Sequence, residues 1–252
     1  MKCKCMYLTK PKPLTKRCMK WLHQNCTELV VVFTEDVRND TSGFVSYCNE
    51  HDIKILKHDD IKEYVQINTG WDVIISNLYS RKIENHILKI ADKIAMNIHP
   101  APLPEYRGVF GYNFAILNGD TEYGVTAHKL SEKFDRGDII EVERFTYNCG
   151  NGWLDELVPM AEEHMYHLLT KVMTKIINDE NLTLTKQGNG NYYSLSDFEN
   201  AKRISLNDNK LDIDKKIRAF WYPPYEGAFI EMNGQKYSLV NDDVLHHMQS
   251  VQ

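Results

Sequence analysis

Apolar positions follow two rhythms along this chain. Residues 3–8, 28–34 (ELVVVFT), 72–76 (DVIIS) and 94–98 (IAMNI) are short continuous runs, the length of strands covered on both faces, and 54–57 is a briefer one. Between them, residues 14–25, 43–50 and 83–91 carry helical spacing. Strands alternating with helices predict an α/β fold: a Rossmann-like, mostly parallel sheet with helices on both faces. Further on, 109–117 reads as a helix that stops at Asn118-Gly119, 124–130 as a strand, and 153–178 as a long amphipathic helix. The turn Asp135-Arg-Gly-Asp138 leads into a strand over 139–143. The pattern breaks near Gly188-Asn-Gly190, which divides a domain over 1–188 from a small C-terminal subdomain over 189–252. That subdomain is expected to be an α+β appendage. It has a helix over 213–220 and then a β-hairpin, 229–232 and 236–240 flanking Asn233-Gly234.

Composition narrows the classes. Hydrophobic residues make up 42% and charged residues 26%, enough for a buried core. No stretch approaches the ~20 apolar residues of a membrane span, and the first residues lack the apolar core of a secretory signal, so a cytoplasmic protein is expected. The formal charge of −5 argues against nucleic acid as a partner. One basic run stands out: seven Lys or Arg and no acid between Lys2 and Lys20. It reads as a solvated loop and helix face, or as a phosphate-facing rim in which Lys10 and Lys12 would contact substrate. The six cysteines form no C-x-x-C pair, so reduced thiols and no metal are expected.

The chemistry-bearing stretch is Asn97-Ile-His99-Pro-Ala-Pro-Leu-Pro-Glu-Tyr-Arg-Gly108. Residues two apart on a strand share a face, so Asn97 and His99 point the same way at a strand end, where Pro100 stops the pairing. In an open α/β sheet ligands bind beyond the carboxyl ends of strands. Asn can donate to an oxygen gaining negative charge, and His can take a proton near neutral pH. Asp135, in the turn after a nearby strand, could orient the imidazole. This is acyl-transfer equipment without a nucleophilic Ser or Cys, suited to direct attack by a substrate amine. The bland reading is an isolated Asn-x-His with a structural histidine. His128, on a strand face with Thr126, is either a core imidazole or a substrate contact.

Residues 97–108, then Gly119-Asp-Thr-Glu-Tyr-Gly-Val-Thr-Ala-His128, then Asp135-x-Gly137-Asp-Ile-Ile140, resemble the formyltransferases that use 10-formyltetrahydrofolate. The likeness extends more weakly over residues 28–240, while the N-terminal loop departs from it. It implies that Asn97, His99 and Asp135 are the catalytic trio. It also implies that the folate lies against the loop Leu78, Tyr79, Ser80, Arg81, Lys82 and Ile83. Tyr79 and Ile83 have core packing as their alternative.

Among the family's branches, the segment containing Trp221-Tyr-Pro-Pro-Tyr225 and the His99–Gly108 stretch look most like enzymes that formylate nucleotide-linked amino sugars. The first choice of substrate is dTDP-4-amino-4,6-dideoxyglucose, for O-antigen synthesis; the 3-amino isomer is second. Glycinamide ribonucleotide and methionyl-tRNA formyltransferases remain as alternatives, as does a non-catalytic folate- or nucleotide-binding module. Residues 191–252 hold seven basic against nine acidic side chains, which disfavours a tRNA-binding arm. On this reading Trp221, Tyr222 and Tyr225 wall the nucleotide, Arg107 contacts its phosphates, and a homodimer is allowed. The alternative for Trp221 and Tyr225 is packing of the tail.

Overall fold

The computed structural model describes residues 3–34, 37 and 40–250. Lys2, the first member of the basic run, lies outside them. A seven-stranded sheet has the order β3-β2-β1-β4-β5-β7-β8. Its strands are β1 (Lys4–Thr9), β2 (Glu28–Phe33), β3 (Lys54–Lys57), β4 (Trp71–Asn77), β5 (Ala91–His99), β7 (Glu122–Lys129) and β8 (Ile139–Thr146), with β6 (Tyr106–Gly108) elsewhere. From β3 to β5 neighbouring strands run parallel, and β7 joins β5 antiparallel. The apolar runs became the central strands because both of their faces are covered. Met6, Leu8, Val30, Val32 and Ile74 belong to one buried cluster, while Cys5, Tyr7, Val31 and Ile75, at the alternate positions, are buried as well.

Helix α1 (Pro13–Asn25) starts where the sequence stops a strand. Pro13 takes the first helical position, and Thr15 accepts from the Lys12 N–H at 3.0 Å while donating to the Lys10 carbonyl at 2.6 Å. It buries Leu14, Cys18, Met19 and Leu22, one stripe of its surface. Helices α2 (Phe44–Glu50) and α3 (Ile61–Ile67) follow. The helix expected over 83–91 is only α4 (Asn85–Leu88), because Ala91 already pairs with Trp71 in the sheet. The chain ends the long helix α6 (Leu154–Ile177) close to the expected limits.

Two compact units are present. The first comprises Met1–Leu103, Val125–Glu143 and Glu162–Gly188, and the second Pro104–Gly124, Arg144–Ala161 and Asn189–Gln252. The second contains α5 (Gly111–Asn118), α7 (Leu195–Lys202), α8 (Lys210–Phe220) and α9 (Asp242–Ser250), with β6 paired in parallel to β9 (Asn191–Tyr193). Gly108 allows that pairing: its φ is +90°, and a β-carbon there would lie 2.1 Å from the Tyr193 carbonyl oxygen. Strands β10 (Phe229–Met232) and β11 (Gln235–Ser238) form the expected hairpin, with Asn233 and Gly234 both at positive φ. No helix among the described residues is long and apolar enough to cross a membrane.

Candidate active site

Strand β5 ends on Asn97-Ile-His99, and strand alternation sets Asn97 and His99 on one face. The antiparallel register with β7 places Asn97 opposite His128 and His99 opposite Thr126. His128 Nδ1 lies 2.9 Å from the Lys129 carbonyl oxygen. A carbonyl only accepts, so Nδ1 donates here, and in that tautomer Nε2 accepts from Asn97 Nδ2 at 3.1 Å. One of the two hydrogens on the Asn97 amide is thus given to His128.

Asp135 completes the group. Its Oδ1 is 3.6 Å from His99 Nδ1 and 3.5 Å from His128 Nε2. The two imidazoles meet edge to face with centroids 6.1 Å apart. Both are buried, and the Asp135 side chain is 11% exposed. Asp135 itself sits at φ 53°, in the left-handed region that Asp tolerates better than most residues.

The loop after His99 is also fixed. The buried Thr126 hydroxyl donates to the Ala101 carbonyl at 2.8 Å and accepts the Leu103 N–H at 3.0 Å. Nothing in the sequence marks Thr126 for this beyond its strand face shared with His128.

The other candidates are distributed unevenly. In the loop 78–83, Leu78 and Tyr79 are half-buried, Ser80, Arg81 and Lys82 are exposed, and Ile83 is buried in the core cluster with Ile74 and Ile87. Ile83 thus packs in the core just before α4. Tyr79 hydrogen-bonds through its hydroxyl to His58 Nδ1 at 2.5 Å, and Arg81 pairs with Asp59 at 2.9 Å, so the loop is clipped to the turn at 58–60. Burial, then the Arg81 charge, holds the His58 imidazole below its usual pKa.

Arg107 does not have the solvent-facing place expected of a phosphate contact. It is 1% exposed and donates to the Gly190 carbonyl at 3.2 Å, because β6 is folded inside its unit against the segment entering β9. Lys12 is exposed and Lys10 half-exposed. Elsewhere in the basic run, Lys4 pairs with Glu28 at 3.1 Å, Lys16 donates to the Ser42 carbonyl at 2.9 Å, and Arg17 stacks on Tyr166 at 3.8 Å. Those cations serve the fold. Trp221, Tyr222 and Tyr225 belong to the second unit and the Asn97 group to the first. The Tyr225 N–H donates to the Tyr222 carbonyl at 3.0 Å across Pro223-Pro224, and this turn sets the two tyrosine rings parallel, 5.8 Å between centroids and 6° between planes. Trp221 and Tyr222 are half-buried; Tyr225 is 62% exposed. Among the described residues, no cluster of three or more His, Cys, Asp or Glu is placed to hold a metal ion.

Residues 46–147 match the formyl transferase family, a span containing Asn97, His99, His128 and Asp135. This segment is similar to a formyl transferase domain. The GDP-perosamine N-formyltransferase of Brucella melitensis is 28% identical over 180 residues, 69% of this chain and 66% of that protein. The chain thus spans just under two thirds of that relative. Methionyl-tRNA formyltransferases also match; the chain covers 58% of the one from Ehrlichia canis. In three dimensions, a 4-N formyltransferase from Francisella tularensis superposes with a TM-score of 0.77 at 22% identity, covering 94% of this chain and 97% of that one. The N-formyltransferase of Helicobacter canadensis, solved with folinic acid and dTDP-3-aminofucose, gives 0.73 at 23% identity, with 94% and 86% covered. These two likenesses show that the chain shares the neighbours' fold.

Proposed function

We propose that this chain transfers the formyl group of 10-formyltetrahydrofolate to the amine of a nucleotide-linked amino sugar. The observation that carries the reading is the meeting of Asn97, His99, His128 and Asp135 at one end of the sheet. The sugar amine attacks the formyl carbon, and a C–N bond forms as the carbonyl becomes a tetrahedral oxyanion. The second hydrogen of the Asn97 amide is offered to that oxygen. Such a donor is worth roughly 3–4 kcal/mol in acyl transfer. His99 takes the amine proton and returns it to N10 of the folate as the old C–N bond breaks, releasing tetrahydrofolate and a sugar formamide. Asp135 balances the imidazolium formed in between, and His128 fixes the orientation of Asn97.

Within this reading the donor is seated by the 78–82 loop, and Tyr222 and Tyr225 offer a flat face to the nucleotide. The substrate of first choice is dTDP-4-amino-4,6-dideoxyglucose, which a cytoplasmic O-antigen pathway would use. The 3-amino isomer is the second choice, favoured by the ligand of the Helicobacter canadensis neighbour. The test is to incubate the protein with 10-formyltetrahydrofolate and a panel of dTDP- and GDP-linked 3- and 4-amino sugars. Glycinamide ribonucleotide and methionyl-tRNA serve as competitors. Tetrahydrofolate release with formylation of a sugar amine, read by mass spectrometry, is expected. Formylation of a competitor and of no sugar would refute the assignment.

A further inference from the structure

We propose that Gln187 is a positioning residue for the active site: its amide holds the turn that carries Asp135, and so sets the carboxylate between His99 and His128. The inference rests on the catalytic role proposed for Asp135.

Gln187 follows the long helix α6 and lies outside every motif discussed above. Its Nε2 donates to the carbonyl of Asp135 at 2.9 Å and to the carbonyl of Gly137 at 2.6 Å. A primary amide nitrogen has two hydrogens, and both are used on one turn. The backbone explains how the side chain arrives there. Ile139 and Thr185 exchange reciprocal bonds of 2.8 Å as an antiparallel bridge. Continuing that register by two residues on each strand sets Gln187 beside Gly137.

The turn is held from its other side as well. A β-carbon on Gly137 would lie 1.8 Å from the Lys129 carbonyl oxygen, so the chain at 137 lies directly on the end of β7, next to His128. The Lys129 N–H donates to the Asp138 carbonyl at 2.9 Å. Between these two supports Asp135 is kept at φ 53°, a conformation that costs a residue with a side chain free energy and persists only where its surroundings impose it. Without the Gln187 bonds, two carbonyls lose a partner and the strained residue is released to relax. At 3.5 and 3.6 Å the carboxylate is already at the edge of its contacts with both imidazoles, so a small rotation uncouples it.

The experiment compares Q187M, D135N and the double variant by steady-state kinetics over pH, with melting curves for each. Met matches the length of Gln without donors. Q187E, which keeps the length and replaces the donors by a carboxylate, is the second variant should Q187M fold poorly. Expected for Q187M or Q187E is a kcat lower by about tenfold, the equivalent of one or two lost neutral hydrogen bonds. The KM values of both substrates should be unchanged. The acid limb of kcat/KM should move to lower pH, as in D135N, since in either case the carboxylate no longer supports charge on the imidazole. Q187M/D135N should be no slower than D135N alone. A folded Q187M or Q187E with wild-type kcat and pH profile, beside an impaired D135N, overturns this proposal only. So does a double variant slower than D135N by the full Q187M factor, since independent effects multiply. D135N with wild-type turnover overturns the catalytic assignment and this inference together.

Discussion

Replacing Asp135 by Asn separates charge from shape at the centre of the site. Asn has nearly the same volume and accepts the left-handed backbone at 135 as well as Asp does, so the turn should survive. The carboxylate charge is lost. At the 3.6 Å between Asp135 Oδ1 and His99 Nδ1, Coulomb's law with an effective dielectric constant of about 20 gives roughly 4.6 kcal/mol between unit charges. That attraction exists only while the imidazole is protonated, which is the state His99 passes through when it takes the amine proton. Its loss therefore falls on the transition state and not on substrate binding. The expected result is a kcat about a thousandfold lower with KM values held, at 1.36 kcal/mol per factor of ten. The acid limb of kcat/KM should also move to lower pH, because the base no longer has an anion to favour its protonated form. Initial rates of tetrahydrofolate release from about pH 5 to about pH 9 would span the titration of the imidazoles. A melting curve on the same sample checks the fold. A D135N protein that melts like wild type and turns over within about fivefold of it would refute the electrostatic role, since the worked attraction predicts far more.

Three further outcomes are expected. Tyr222→Ala should raise the KM for the nucleotide sugar by about tenfold, the worth of one base–aromatic stack, and leave the folate KM unchanged; loss of stability alone, with both constants intact, would assign Tyr222 to packing. Gly108→Ala puts a β-carbon 2.1 Å from the Tyr193 carbonyl at φ +90°, so unfolding in denaturant should show a loss of at least about 2 kcal/mol, and an unchanged midpoint would contradict the described pairing of β6 with β9. Glu141 is pushed up by burial but more strongly pulled down by Lys171 and Lys175, so its folded pKa lies below the usual carboxylate range; the stability it contributes is present above the unfolded pKa and lost as pH falls through the folded one, and the melting temperature of Glu141→Gln should decline less over that acid window than that of the wild type.

The parts of the fold visible in the sequence were those with an unambiguous local cause. The run ELVVVFT could only be a strand covered on both faces, and Asn233-Gly234 could hardly be anything but a tight turn. Helix α3 escaped because only Ile61 and Val65 of its seven residues are buried, too few to make a stripe. Strands β6 and β9 escaped because three residues carry no period. In the site, strand alternation set Asn97 beside His99 and motif spacing pointed to Asp135, whereas His128, read as a core imidazole or a substrate contact, gave no sign of its bond to Asn97. The burial of Arg107 was not legible, since its sequence neighbours, a proline loop and a glycine, say nothing of the Gly190 carbonyl that receives it. Thr126 and Gln187 gave no signal for a related reason: their partners are backbone atoms, which every residue has.

The antiparallel ladder between β5 and β7 also decides where this gene can change length. Asn97 faces His128 because four pairs, from Met96 with Lys129 to His99 with Thr126, fix the frame of two strands that are far apart in sequence. The distance along the chain between them plays no part in that alignment. Codons added around Asn118 and Gly119, where α5 ends in a turn, would lengthen a connection and leave the facing pairs in place. One codon removed between 123 and 127 would turn every later side chain of β7 to the opposite face of the sheet, or drag the Asp135 turn out of reach. Related sequences should therefore differ in length between 109 and 121 and keep a constant count from 122 to 138.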